Sequence, residues 1–444
     1  MTWGWTISIP QECDIVVVGG GPTGSIAASN LAMEGHDVVM LEKAEHPREM
    51  VGESLIPDFW KFTDQIGATA KIENEGFVSK SGAVVSWAGH RRGHSFADFG
   101  YERSALHVER DRFDQILFEH ASELGAATYE NVTVNEVATP DSGRDEATVA
   151  YTVENGSGEL KTRLVIDATG QSGLISRSRK LRYVDDAFRY LALWGYFEGS
   201  RFMDLNGQIH DHSDLGRHRP VTAINALGDD GAAGWSWHIE LRDKTSVGLV
   251  LPVSGLKELR EPSESWEDFF GRAVMTVPGL GDLLEGARLI PDSVRSIRDY
   301  SSRSEQLSGP GFLLAGDAAG FVDPIFSVGV VLGMYTGAAA AWAADRIIKR
   351  PETAESVRKI YDNQVEGRIE VARSLALPRY QPDNQVSALA KQSVQFERSA
   401  VKELMYVVSS FTTRSENWRE LIGDEPPELH EGQLRELDPV SESE

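Results

Sequence analysis

Cysteine is all but missing from this chain: Cys13 stands alone among 444 residues. No intrachain disulfide can form, and a reducing cytoplasm is the expected compartment. Long apolar runs are missing too. No stretch approaches the roughly 20 residues needed to cross a bilayer. The opening MTWGWTISIPQECD has no basic segment followed by an apolar one, so no export signal is expected. Positive charge is scarce. Lys and Arg number 44 against 68 Asp and Glu, a net charge of −24, which disfavours nucleic acid and anionic membrane as partners. Internal repeats are absent as well, which excludes a solenoid.

What is present is globular composition, 41% hydrophobic and 25% charged, on a chain long enough for two or three domains. DIVVVGGGPTGSIAASNLAMEGHDVVMLEK, residues 14–43, reads as strand, tight turn, helix and strand. Ile15–Val18 is the continuous apolar run of a strand buried on both faces. Residues 51–66 read as helix, with Pro57 near the start. RDRFDQILFEHASELGA (110–126) has helical period, with Phe113, Ile116, Leu117 and His120 on one face. LVIDATG and GFLLAGDAAG each end a buried strand on glycine. Residues 77–108 and 186–256 are rich in Val, Phe, Trp and Gly and read as short strands, the later group as one face of an antiparallel sheet. Residues 265–284 read as helix, as do the segment from Gly329 to about Arg350 and most of 353–422.

The expectation is an α/β protein. A discontinuous Rossmann-like dinucleotide domain takes residues 1–76, 105–185 and 291–345, and a sheet-rich substrate domain takes 77–104 and 186–290. A helical region (346–423) and an acidic tail (424–444) follow. Basic islands remain at HRRGH (90–94) and RSRKLR (177–182); such islands are mostly solvated faces.

Gly19, Gly21 and Gly24 spell GxGxxG between a buried strand and a helix. The first permits a tight turn, the second lets backbone approach a pyrophosphate, and the third allows close helix packing. Glu42, with Lys43 beside it, ends the next strand roughly 20 residues on, where a carboxylate accepts a ribose hydroxyl. Arg110 at the start of a helix is placed to meet phosphate or cover a flavin. Asp317 in GDAAG is placed to contact the ribityl or pyrophosphate region, among neighbours small enough to admit the cofactor. The order of these features favours FAD over NAD. No second GxGxxG follows a strand, so a dedicated nicotinamide domain is not expected and reducing power comes from outside.

GGGPTGSIAASNLAMEGHDVVMLEK, VGESLIPDF, DATGQSGL, GWSWHIEL with TSVGLVLP, and GDAAGFVDPIFSVGV together resemble the flavin-dependent halogenases. The likeness covers most of residues 12–345 in order. It implies an FAD domain of the glutathione-reductase or hydroxybenzoate-hydroxylase type, and FAD used as FADH2 with O2 and chloride or bromide. A separate NAD(P)H-dependent flavin reductase is implied as partner. Lys80 in FVSKSGAVVSW matches the lysine between flavin and substrate, which handles the hypohalous acid made when halide attacks a flavin hydroperoxide. Trp235 and Trp237 match the two tryptophans lining the wall between flavin and substrate. In FVDPIFSVGV, Pro324 matches the residue packed near the isoalloxazine, and the amides around Val328 and Gly329 match the halide site.

The departures carry information of their own. Phe326 stands before Ser327, where tryptophan halogenases have glutamate; phenol- and pyrrole-acting members commonly have phenylalanine. Val328 replaces a hydroxyl residue, Glu240 a proline, and Gly320 a cysteine. The reading is an FADH2-dependent halogenase, a chlorinase, of a small phenol or pyrrole in specialised metabolism, either free or tethered to a carrier protein. The alternative is a related FAD enzyme that hydroxylates, dehydrogenates or reduces without halogenating.

Overall fold

A computed structural model of the chain describes residues 9–87, 89–140, 146–228, 234–254 and 256–380. The first strand, Glu12–Val18, lies between Val38–Leu41 and Gly156–Asp167, parallel to both. Phe312–Leu314 and Ala127–Tyr129 extend the parallel run on either side. Ile15, Val16 and Val17 are wholly buried, so both faces of the strand are covered, and that is why it reads as an unbroken apolar run. Small residues set the close packing over it. The helix Pro22–Met33 lies against Gly329–Lys349, and a Cβ on Gly337 would fall 2.3 Å from the Thr23 carbonyl oxygen.

A second sheet of eight strands runs in the order Arg288–Leu289, Tyr190–Glu198, Thr245–Pro252, Trp235–Glu240, Thr222–Ala226, Gly82–Trp87, His90–Ser95, with Arg295–Arg298 also pairing to Tyr190–Glu198. One finding concerns direction: the strand pairings within residues 186–256 are antiparallel, as expected, but the join to Gly82–Trp87 is not. Thr222–Ala226 and Gly82–Trp87 pair in parallel, with Thr222 opposite Ala83, so the sheet is mixed rather than antiparallel throughout. Another concerns a boundary: Arg295–Arg298, expected with the first domain, belongs to this second sheet. A hydrophobic layer of Leu193, Phe197, Val247 and Leu249 seats the helix Trp266–Met275 through Phe269, Phe270 and Val274.

Between the sheets lies a two-stranded ribbon, Val78–Lys80 paired antiparallel with Ala105–His107. Ser54 bridges to His107 on its other side. Here the expected helix over 51–66 shortens to Phe59–Ile66. Gly52 is at φ +107°, Ser54 pairs as strand, and Pro57 offers no N–H, so residues 51–58 run as an extended, turning segment. The helix Ala354–Tyr380 begins the expected helical region; the remainder of that region and the acidic tail lie outside the described residues.

Candidate active site

The turn at 19–24 has no room for side chains at two of its three fingerprint positions. Gly19 sits at φ +107°, and a Cβ there would lie 2.3 Å from the Ala168 carbonyl oxygen; one on Gly24 would lie 1.9 Å from the Gly19 carbonyl oxygen. At Gly21 a Cβ would meet only the Arg48 guanidinium, at 3.4 Å. Gly21 caps Pro22–Met33 without a side-chain hydrogen bond, so the first-turn amides are available to an anion. Glu42 is buried and accepts from the Gly20 amide at 2.7 Å and the Ala44 amide at 3.0 Å. Lys43 is exposed. Arg48, unmarked by the sequence reading, lies 3.3 Å from Asp114 and 3.5 Å from Glu42. Its Nε is buried without a partner. A buried unsatisfied guanidinium N–H beside a free helix N-terminus is what a pyrophosphate completes, so these residues fit a dinucleotide.

Asp317 is half-buried; its carboxylate accepts from Gln171 Nε2 at 2.9 Å, and desolvation raises its pKa. Arg182 donates to the Asp317 carbonyl and to Gln171, so part of the RSRKLR island is built into this region rather than solvated. Arg110 is buried and holds Asp114 through two hydrogen bonds of 2.8 and 3.0 Å, while donating to the Val51 carbonyl at 2.8 Å. Its fork is occupied by protein, and it ties the Val51–Gly52 turn to the helix Arg110–Glu123. Arg48 carries a buried Nε–H with no partner.

The segment 321–330 is a turn followed by a helix start. The Ser327 amide bonds to the Pro324 carbonyl at 2.9 Å, and Ser327 itself lies at φ +56°. Val328 caps Gly329–Lys349 with no side-chain hydrogen bond. At Gly329 a Cβ would come 2.9 Å from the Phe321 ring, so a larger residue would have to push that ring aside. Pro324 is half-buried in the same turn.

Next to this turn is a cavity lined by Lys80, Val85, Trp87, Phe96, Phe326 and Ser327, among others. Lys80 ends the ribbon strand and is fully buried, and its ammonium stands 5.2 Å over the Phe96 ring. Burial lowers its pKa to about 7, because a charged amine loses its water without gaining a carboxylate. Nζ donates to Ser54 Oγ at 2.8 Å and to the Leu55 carbonyl at 3.1 Å. Ser327 in turn donates to Ser54 Oγ at 2.9 Å. One serine therefore joins the lysine to the 321–330 turn. The sequence marked both ends of this link and missed its middle, since Ser54 is hidden inside VGESLIPDF, which read as helix.

Trp235 and Trp237 do not line this cavity. They sit 5.8 Å apart on Trp235–Glu240, with Trp237 lying over Gly248, where a Cβ would be 2.2 Å from the indole, and donating to Ser246 at 3.2 Å. The aromatic lining comes from Trp87, Phe96 and Phe326 instead. Glu240, in the place of proline, is buried and accepts from His212 at 2.5 Å and Thr245 at 2.7 Å. Elsewhere Asp204, His210 and His218 approach one another. The two imidazoles are stacked 3.8 Å apart with planes 15° from parallel, so no ion can lie in both ring planes as coordination requires.

The FAD binding domain family matches residues 12–194. A flavin-dependent halogenase of Armillaria mellea, armH3, is 33% identical over 381 residues, covering 81% of this chain and 72% of that protein. A tryptophan 2-halogenase of Chondromyces crocatus is 33% identical over 364 residues, covering 81% of this chain and 66% of the relative. Among solved structures, the flavin-dependent halogenase CmlS superposes with a TM-score of 0.75 at 27% identity, covering 93% of this chain and 74% of that one. The myxobacterial chondrochloren halogenase CndH superposes with a TM-score of 0.73 at 24% identity, covering 92% and 99%. Likeness of this degree, over most of both chains and centred on a glycine turn fitted to a dinucleotide, shows that the chain belongs to the flavin-dependent halogenases, which are FAD-dependent oxidoreductases.

Proposed function

We propose that this protein halogenates a neutral, electron-rich aromatic, a phenol or a pyrrole, with chloride as the preferred halide. The observation that carries the reading is Lys80: fully buried, lining an apolar cavity, and joined through Ser54 to Ser327. Bound FADH2, replenished by a separate reductase, supplies the oxygen activation that turns halide into an electrophile. Gly19, Gly21, Gly24, Glu42, Arg48 and Asp317 hold that cofactor, with Arg110 supporting the Val51–Gly52 turn. The amides of Val328 and Gly329 hold halide by backbone alone. Lys80, as ammonium, donates to the oxygen of hypohalous acid and draws electron density from the halogen; as free amine it accepts the halogen. Trp87, Phe96 and Phe326 exclude water and stack on the ring.

What the lining contains supports that substrate class. Among the described residues, the cavity wall has no carboxylate. The ammonium of a free amino acid would therefore find no counter-charge there, and Phe326 offers no carboxylate to assist an indole. A carrier-tethered substrate would need a basic dock, for which Arg91 and Arg92 are exposed on His90–Ser95.

The test is incubation with a flavin reductase, NADH, FAD, O2 and chloride or bromide, over phenols, pyrroles and tryptophan, free and carrier-loaded. A phenol or pyrrole product with the halogen isotope pattern is expected. Hydroxylated product without halogen at either halide would replace halogenation by monooxygenation. Preferential halogenation of tryptophan would overturn the substrate class.

A further inference from the structure

Behind Lys80 the hydrogen bonds continue inward. Ser54 Oγ lies 2.9 Å from Thr222 Oγ1, Thr222 Oγ1 lies 2.9 Å from His107 Nε2, and His107 Nδ1 lies 3.0 Å from the Glu240 carbonyl oxygen. All four side chains are buried. Four separate elements supply them: the ribbon strands Val78–Lys80 and Ala105–His107, the segment before Phe59 and the strand Thr222–Ala226.

The direction of this chain follows from one fixed end. A carbonyl oxygen only accepts, so His107 carries its proton on Nδ1 and, when neutral, presents a lone pair at Nε2. Thr222 must then donate to His107, and Ser54 must donate to Thr222. That uses the single Ser54 proton and leaves its two lone pairs for Lys80 and Ser327, which are the two donors observed. We propose that His107, acting through Thr222 and Ser54, is a positioning residue for Lys80. It keeps Ser54 an acceptor, so that two directions of the amine point to Ser54 and Leu55 and the third is held toward the cavity. In the neutral amine that third direction is the lone pair; in the ammonium it is an N–H.

The neutral form of His107 is the stable one in place. Burial, with the neighbouring Lys80 charge next, holds its pKa well below the ordinary histidine value. The titratable groups that face it are Lys80, His238 and Glu240; burial lowers His238 as well, and Glu240 is engaged by His212 and Thr245. A protonated His107 would donate from both nitrogens and reverse Thr222 and Ser54, turning the Ser54 proton onto the amine.

The inference rests on the role proposed for Lys80, but it can be tested without flavin, halide or aromatic. Cyanate, as isocyanic acid, adds a neutral amine across its N=C bond. The lone pair forms the C–N bond, an amine proton moves to the reagent nitrogen, and nothing is released. Peptide mass spectrometry reads the rate at Lys80, with exposed lysines as internal control. In wild type, the rate should rise through pH about 7 to a plateau. In Thr222→Val, Ser54 loses its acceptor and donates to the amine, so the plateau should fall about tenfold, the worth of one hydrogen bond. Thr222→Ser should restore it. His107→Gln, with one donor and one acceptor, should keep it, whereas His107→Leu should fall like Thr222→Val. A wild-type plateau in Thr222→Val would overturn the proposal, and so would equal losses in His107→Gln and His107→Leu. Should His107→Leu fail to fold, the Thr222 pair decides alone. If the protein proves not to halogenate, the Lys80 role fails in the product assay while this labelling pattern still stands.

Discussion

The glycine turn at 19–24 and the cavity around Lys80 place their polar groups in opposite ways. The turn is contiguous and works with backbone: its amides point outward because side chains are missing. The cavity is assembled from segments far apart in the chain and works with side chains: each polar atom is aimed by another polar atom behind it. A turn of the first kind tolerates no added atom at Gly19 or Gly24. A site of the second kind can lose a member and keep its shape while changing its chemistry.

Substitutions can break that contrast. The largest effect is expected from Lys80→Ala, which should cut halogenated product by roughly 100-fold or more while FAD retention stays at the wild-type level. Loss of FAD together with product would erase the distinction. Gly24→Ala attacks the other side. Its Cβ meets the Gly19 carbonyl oxygen at 1.9 Å, and strain of about 1–3 kcal/mol should weaken FAD binding by roughly tenfold or more, read by equilibrium dialysis. Arg110→Ala should destabilise the protein by roughly 2 kcal/mol in denaturant unfolding, because buried Asp114 loses two hydrogen bonds and keeps only the longer Arg48 contact at 3.3 Å. Asp114→Asn in the same chain should return a good part of it.

The smallest effect is one of slope. Folding holds the Lys80 pKa near 7 against an ordinary 10.5. The unfolded chain therefore binds one more proton between those values, and Lys80 contributes stability that rises with pH across the window. The cost of burying its charge is fully present below pH 7. Between pH 7 and 9 the stability difference between wild type and Lys80→Met should shift in favour of wild type by at most about 1.4 kcal/mol per pH unit. A difference flat with pH would mean that Lys80 is charged throughout this range.

Legibility followed the same division. Glycines, apolar runs and strand ends depend on neighbours in sequence, so the parallel sheet, its turn and the positions of Glu42 and Asp317 just past strand ends could be read directly. The Ser54–Thr222–His107 chain could not, because no local pattern links a serine, a threonine and a histidine on three separate segments. The short helix also misled there: Ser54 and Pro57 sit in a stretch whose composition suits a helix, and only the pairing with His107 makes it extended. Trp235 and Trp237 alternate as strand residues on one face should, yet which layer that face meets is a tertiary matter. Arg110 was legible at a helix start, placed to meet phosphate or cover a flavin; that Asp114, one turn along the same helix, holds its fork was not.

The parallel pairing of Thr222–Ala226 with Gly82–Trp87 bears on how such an enzyme could be re-specialised. Neighbouring antiparallel strands joined by a hairpin travel together as one stretch of gene. A parallel pair cannot, since its members lie on either side of a long excursion through the first sheet. One wall of the cavity is thus coded in two distant places, and a graft that moves only one would bring half a binding surface to a partner evolved for another. Transplanting substrate preference here means exchanging two inserts at once.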